Sequence, residues 1–553
     1  MNDLSTPDLL PRLAELNQVG IALSREKDIH RLLEAILLAA KKITNADGGT
    51  LYRMYSDRDN NRELRFEIMR TDSLGIAMGG TTGQAIPFAP LKLYDEQGAP
   101  NNSMVVAYSV LHDCTVSIAD AYTEQGFDFS GTKSFDRKTG YRSQSFLTVP
   151  MKNHEDEIIG VLQLINAKDR VTGEIVAFAE ADRNLAESLA SQAAVALTNR
   201  VLIDQLEKLF ERFIDLINAA IDDKSPYTGG HCQRVPALTM MLAEAVNNTG
   251  QGPLQAFTMT DKDRYELRIA GLLHDCGKIT TPVHVVDKAT KMQTIYDRIG
   301  LLDTRFEVLK RDAEICMLRA KLEAAERGDQ GVWPELEARY SAQIKQYDAD
   351  REFLRFCNIG SERMAPEDQQ RVFNIGTGYR WRDVEGVEDA AFLSDDEIRN
   401  LTIRAGTLTE DERKIINHHI DVTIMMLESL PWPKHLKNVP EYAGGHHERM
   451  DGRGYPRGLT REQMSVQARV MGIADIFEAL TAKDRPYKKG KTLTEALTIL
   501  GRFKLNGHID PDLFDIFIRE RLYLRYAEQF LDPEQIDHVD LSKIPGVPAD
   551  VLT

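Results

Sequence analysis

Between Ala181 and Asp222 the chain carries neither proline nor glycine. Within that stretch Val195, Leu202, Leu209 and Leu216 alternate with Asn199, Leu206, Phe213 and Ala220 at steps of four and three. A seven-residue repeat of this kind predicts one continuous helix over 181–222 with a single apolar seam. Asn199 falls on the seam, where one polar residue can fix the register of paired helices. The pattern suits a parallel homodimer; one face of an ordinary buried helix is the other reading. In either case the helix couples a strand-patterned part of the chain to a helical part.

Residues 1 to about 45 are helical by pattern. Leu9, Leu13 and Leu16, then Ile29, Leu32, Leu33 and Ile36, recur at three- and four-residue steps. The first of these, 1–24, reads as a separate N-terminal helix. From Gly49 the period changes. GTLYRMY, ELRFEIMR, SFLTVPM and IIGVLQLINAK alternate or run apolar and are bounded by Gly, Asp and Asn, as strands are. A long middle loop separates the first pair from the second, and a helix resumes near Phe178. This order predicts an α+β sensor-type domain over 25–180, an antiparallel sheet with flanking helices.

The segment FDRKTGYRSQSFLTVPMKNHEDEIIGVLQLINAKD resembles GAF domains, especially those of cyclic-nucleotide-regulated phosphodiesterases and cyclases. Asn166, Lys168, Phe178 and Asp182 match the signature of that subgroup, while Ala167 intrudes between Asn and Lys and Arg183 replaces a Glu. The resemblance implies that these four residues serve a small ligand, with a cyclic nucleotide as one candidate. An internal polar clasp holding hairpin to helix is the alternative.

After residue 222 the pattern is helical, interrupted over 291–400. There Ile295, Ile299, Leu302, Phe306, Leu309 and Ala313 keep a 4-3 spacing, and a break at Gly328 to Pro334 precedes a second helical pattern through about Phe356. The insertion reads as a helical hairpin followed by an irregular piece rich in Gly and Asp. It contains no histidine, so it adds no imidazole ligand. Regulation, dimerisation, a lid and plain surface decoration are its open roles. Residues 541–553 read as a C-terminal tail.

A chain of 553 residues, 42% of them hydrophobic, can bury two or three cores. Its net charge of −17 argues against a nucleic-acid partner. An anionic substrate then needs metals or a local basic cluster. Five widely spaced cysteines without a zinc-type Cys-x-x-Cys argue for a reducing compartment. There is no signal-peptide pattern, and the longest apolar run, near Leu32 to Ala40, is too short to span a bilayer. A soluble, cytoplasmic protein without a membrane partner is expected.

The helical part concentrates imidazole and carboxylate. His231 follows SPYTGG; His274 and Asp275 lie in LLHDCGK; His418 and His419 lie in INHHIDVT; His446 and His447 open HHERMDGRGYP; Asp475 lies in GIADIFEALTAKDRPYK. Each sits in or beside an apolar pattern, where an unpaired polar side chain is costly. One such histidine is usually a hydrogen-bonded core residue. So many, with two Asp in one helical domain, point to metal. Mixed His and carboxylate donors without thiolate suit iron, manganese or other borderline-to-hard divalent ions better than a structural zinc. In an adjacent His-Asp pair, the Asp can bridge two ions while the His serves one. Two ions about 3.5–4 Å apart are a known arrangement for activating water and clamping a phosphoryl group.

PYTGGH, HDCGK, HHERMDGRGYP, ADIFEALTAKDRPY and GHIDPDLFDIF together resemble the HD-GYP subfamily of HD-domain phosphohydrolases. The resemblance places an all-α catalytic domain over 223–540, with 291–400 inserted. It implies bacterial cyclic di-GMP as substrate, hydrolysed to pGpG and, on further cleavage, GMP, under regulation by the GAF domain. The implied metal ligands are His231, His274, Asp275, His419, His446, His447 and Asp475. His419 is preferred to His418 because it precedes the acidic Asp421 by two. Tyr227 stands where trinuclear members carry a carboxylate, so two divalent ions are expected, iron ahead of manganese. Asp275 and Lys278 are the expected catalytic pair. Lys278 also contacts substrate, together with Arg485, Lys488 and Arg453; for the turn that carries Arg453, a structural or partner-binding role is the alternative. Two other functions stay open: a non-catalytic cyclic di-GMP receptor, and hydrolysis of another cyclic dinucleotide such as cyclic GMP-AMP.

Overall fold

A computed structural model describes residues 6–56, 62–95, 97–224, 230–361, 363–383, 385–482 and 490–549. The chain divides into two compact units, Met1–Glu211 and Arg212–Thr553. The division falls inside one helix, Glu180–Lys224, which extends slightly beyond the predicted 181–222 at both ends.

The first unit is built on an antiparallel sheet. Strand Ala46–Ser56 lies between Arg62–Thr71 and Ile158–Lys168, and Phe146–Lys152 extends the sheet beyond the latter. Neighbouring residues in a strand face opposite ways, so each central strand feeds two cores. Leu51 and Leu162 join Leu32, Leu33, Ile36 and Leu37 on one side, where Leu185, Leu189 and Leu197 of the long helix also pack. Tyr52 and Val161 meet Val106 and Val110 on the other. Leu16 and Leu23 of helix Thr6–Arg25 bury in the first of these cores, so the N-terminal helix is part of the unit. The middle loop expected from sequence contains helices Val105–Leu111 and Ser130–Thr139. The first reads VVAYSVL, a β-branched run whose period does not announce a helix.

Among the described residues the second unit is helical apart from a two-stranded sheet, Arg380–Trp381 with Ala390–Ala391. Helix His231–Asn247 packs against Asp261–Leu273 and Val466–Thr481. The insertion has its own core, in which Met292, Phe306, Leu354, Val372, Phe392 and Leu393 are all buried. Helices Ile299–Glu326 and Trp333–Asn358 form its hairpin. The piece expected to be irregular is instead partly helical, with Pro366–Gly378 and Asp395–Leu401. Pro366 occupies the first helical turn, where its missing N–H costs nothing, and the glycines at 376 and 378 hide the helical period. The C-terminal segment also packs, through the buried Ile544. Among the described residues no helix is long and apolar enough to cross a membrane.

Candidate metal centre

Four imidazoles of the second unit stand at helix ends, and their ring nitrogens are divided between two tasks. His274 follows helix Asp261–Leu273, and its Nδ1–H donates to the Gly271 carbonyl at 2.7 Å. His446 follows helix Val439–Gly444 and donates to Ala443 at 2.6 Å. His419 opens helix His419–Glu428 and donates to Ile416 of the helix before it. Carbonyls left over at a helix C-terminus need donors, and a carbonyl can only accept. Each contact therefore places the proton on Nδ1 and leaves Nε2 as a lone-pair donor. His231, at the start of helix His231–Asn247, instead meets a carboxylate: its Nδ1 lies 2.5 Å from Glu478.

The free faces converge. His231 Nε2 lies 3.3 Å from His274 Nε2, and His419 Nε2 lies 3.2 Å from His447 Nε2. Asp275 stands between the two pairs. Its Oδ2 is 3.0 Å from His231 and 3.3 Å from His274, whereas its Oδ1 is 3.2 Å from His419. Asp475 Oδ1 completes the first pair, 3.4 Å from His231 and 3.9 Å from His274. In each of the trios His231/His274/Asp475, His419/His446/His447 and His274/Asp275/His446, the ligating atoms lie within 4.8 Å of one another. Ligands about 2.1 Å from one ion and at right angles would sit about 3 Å apart, so these donors fit divalent metal. His446 Nε2 and Asp275 Oδ1 are buried and make no hydrogen bond, as unused ligand atoms would.

Burial, reinforced by His274, pushes the His446 pKa down to about 4; burial and then His446 and His419 hold His447 well below its usual value. Burial thus favours the neutral form of both rings, the form that ligates metal. Burial opposes a charge on His231, but Asp275 and Glu478 outweigh it and push its pKa up to about 9. Burial likewise opposes ionisation of Asp275, yet Lys278, then the neighbouring histidines, keep its carboxyl well below the usual range. Lys278 Nζ lies 2.5 Å from Asp275 Oδ2.

The local sequence explains this geometry. Lys278 rides on the 3₁₀ turn Cys276–Thr280, which lies against helix His419–Glu428. The approach needs Gly277: a Cβ there would meet the His419 carbonyl oxygen at 2.0 Å, and its N–H donates to Thr423 Oγ1 at 2.9 Å. The GRGYP turn supports His447. Tyr455 stacks on that imidazole, ring centroids 4.8 Å apart and planes at 22°. The buried Glu448 accepts from the Arg457 and Leu459 N–H groups at 2.7 and 2.9 Å and so pins the turn. A cleft of about 500 Å³ opens beside the centre, lined by His447, Arg453, Tyr455, Asp475, Lys491 and His508 among others.

All seven expected ligands thus come together, with Lys278 beside Asp275 and Arg453 on the cleft wall. His418 is exposed and pairs with Asp421 at 3.1 Å. Arg485, Lys488 and Tyr227 lie outside the described residues. Sequence reasoning missed Glu478, Glu448 and the role of Tyr455. Glu478 carried a signal: an acid one turn after Asp475 in the apolar stretch IADIFEAL.

In the first unit, the four residues singled out are committed to internal contacts. Asn166 is fully buried; its Oδ1 accepts from the Gln144 N–H at 2.7 Å and its Nδ2 donates to the Arg142 carbonyl at 2.8 Å. Lys168 pairs with the buried Asp47, which also accepts from Tyr141 Oη at 2.6 Å and Ser73 Oγ at 2.5 Å. Phe178 packs in the core, and Asp182 accepts from the Ala179 N–H at 3.0 Å and pairs with Arg12. These contacts are internal to the unit, and none of the polar ones among them ties the hairpin to the long helix.

A family model described as GAF domain matches residues 28–197, and two described as HD domain match 228–339 and 395–513. A cyclic di-GMP phosphodiesterase of Pseudomonas aeruginosa is 38% identical over 116 residues, 21% of this chain and 27% of that protein. A 3′3′-cGAMP-specific phosphodiesterase of Vibrio cholerae is 43% identical over 81 residues, 15% of this chain and 19% of that protein. The chain therefore spans about a quarter or less of these relatives' length. Among solved structures, a GAF domain/HD domain protein from Geobacter sulfurreducens aligns with 32% of this chain and 98% of its own, at 16% identity and a TM-score of 0.22. The chain joins a GAF domain to an HD domain of the kind found in relatives named cyclic di-GMP phosphodiesterases.

Proposed function

We propose that the HD unit is a metal-dependent phosphodiesterase that hydrolyses cyclic di-GMP to pGpG and then GMP, and that the GAF unit regulates it. The observation that carries this reading is Asp275, whose two oxygens face two separate histidine groups. His231, His274, Asp275 and Asp475 would hold one divalent ion, and Asp275, His419, His446 and His447 the other. Nitrogen and oxygen donors without thiolate favour iron or manganese. Such ions lower the pKa of water towards about 7 and offset charge on a phosphoryl group.

The chain's own residues do the rest. Lys278, held beside Asp275, supplies positive charge to a non-bridging phosphate oxygen. Asp275, ionised at neutral pH, can hold a proton-bearing nucleophile in line. Arg453 and Lys491 give the cleft a basic wall against the chain's negative net charge. Two features support regulation through a dimeric coupling helix. Its seam residues Leu206, Leu209, Phe213 and Leu216 are exposed, at 63%, 65%, 58% and 65%, while Ile214 and Ile221 on the other side are buried. Lys224, in its last turn, donates to the carbonyls of Lys278 and Ile279, in the turn that carries the catalytic lysine. The GAF unit then senses a small ligand, a cyclic nucleotide among the candidates.

Anaerobic loading with Fe²⁺ or Mn²⁺, followed by product analysis, tests the reading. Formation of pGpG, abolished by His274→Ala with Asp275→Ala, is expected; tight cyclic di-GMP binding without product would leave a receptor instead. The identity to a 3′3′-cGAMP-specific relative makes that dinucleotide the second substrate to assay.

A further inference from the structure

The two histidine groups are held by different chemistry. In the group His419, His446 and His447, the first two rings donate to neutral backbone carbonyls and the third stacks on Tyr455. In the group His231, His274 and Asp475, His231 instead meets the carboxylate of Glu478, fully buried and fixed from behind by Arg234 Nε at 2.7 Å. A carboxylate behind an imidazole makes it a more basic and better oriented ligand than a carbonyl does. His231 and His274 face two carboxylates, Asp475 and Oδ2 of Asp275, whereas the His419 group gains only Oδ1 of Asp275. One helix, Val466–Thr481, supplies both the ligand Asp475 and, one turn later on the same side, the supporting Glu478.

We infer that the two metal sites are unequal and fill in order, the His231/His274/Asp475 site first, and that Glu478 is the positioning residue responsible. This rests on the reading of the centre as a two-metal site. It makes Arg234, Glu478 and His231 one connected device, in which the guanidinium keeps the carboxylate aimed at Nδ1 so that Nε2 stays aimed at the ion.

Full-length protein stripped with chelator and titrated anaerobically with Mn²⁺ tests the idea without an activity assay. Free Mn²⁺ is followed by electron paramagnetic resonance and bound metal by elemental analysis. The unsubstituted chain should take up two equivalents of unequal affinity. Glu478→Gln, close to isosteric, should weaken the first equivalent about 10–100-fold and leave the second within twofold. His447→Ala should remove the second and spare the first. The untouched equivalent in each variant reports an intact fold. Two equal sites, or Glu478→Gln weakening both or neither, would overturn the inference while leaving a two-metal centre in place. Failure of the unsubstituted chain to bind Mn²⁺ at all would overturn the reading of the centre itself.

Discussion

At the residue scale, the centre depends on two contacts that no ligand list contains. Tyr455 covers His447, a ring with no helix carbonyl among its described partners to fix it. Replacing Tyr455 by Phe keeps the stacking face and should leave Mn²⁺ uptake and hydrolysis within about twofold. Tyr455→Ala should weaken the second metal equivalent by about tenfold, the low end for loss of a supporting group. Equal behaviour of the two variants in a metal titration would dissociate the stack from the site. Gly277 is the other case. An alanine Cβ would sit 2.0 Å from the His419 carbonyl oxygen and 2.6 Å from Thr423 N, and neither backbone can yield without moving a ligand. Gly277→Ala should cost about 3 kcal/mol, measurable by chemical unfolding of the metal-free protein. The seven residues proposed as ligands were singled out through the likeness of HDCGK and HHERMDGRGYP to the HD-GYP pattern, with their apolar surroundings pointing to a shared partner. Glu478 was overlooked although it stands in the apolar stretch IADIFEAL, because its partners His231 and Arg234 lie about 245 residues away in the chain and only the fold brings them to it.

Elements were read unevenly, and the reason is period. The coupling helix declared itself by a repeat that only a helix can keep, while Val105–Leu111 and Pro366–Gly378 are short and carry β-branched or glycine residues. In the first unit, strand Ala46–Ser56 contributes Asp47, which ties three segments together through Lys168, Ser73 and Tyr141. Burial alone would raise the Asp47 pKa, but the bonds from Lys168, Ser73 and Tyr141 prevail and hold it below 3.8. The sign of the linkage follows. A carboxyl whose folded pKa is depressed adds stability above its unfolded pKa, and that stability is lost as pH falls through the folded value. Asp47→Asn, which leaves Lys168 without its buried anion, should therefore destabilise the first unit by about 3 kcal/mol at pH 7. The gap from the unsubstituted chain should narrow below about pH 4, near the unfolded aspartate pKa. A gap in thermal unfolding that stays constant from pH 7 to pH 3 would contradict this account.

For the whole molecule, sequence could order the parts but not connect them. The GAF and HD matches follow the chain order read from pattern, and the HD matches straddle the insertion's middle, 340–394. What pattern could not supply is the physical link between the coupling helix and the chemistry, because a lysine two residues before a proline reads as a helix end. Lys224 donates to the carbonyls of Lys278 and Ile279, and Lys278 in turn pairs with Asp275. Any change in helix pairing that shifts the last turn will pull on that 3₁₀ segment. The seam and Lys224 are then coupled, and coupling is measured by a double-mutant cycle. Leu209→Glu should split the proposed dimer, read by light scattering, and change the hydrolysis rate several-fold in the otherwise unsubstituted chain. In a Lys224→Met background the same seam substitution should still split the dimer yet leave the rate nearly unmoved. A coupling of about 1 kcal/mol or more between the two positions is expected. Rate effects that simply add would mean that the helix joins the units without carrying a signal, and that control of the site enters elsewhere.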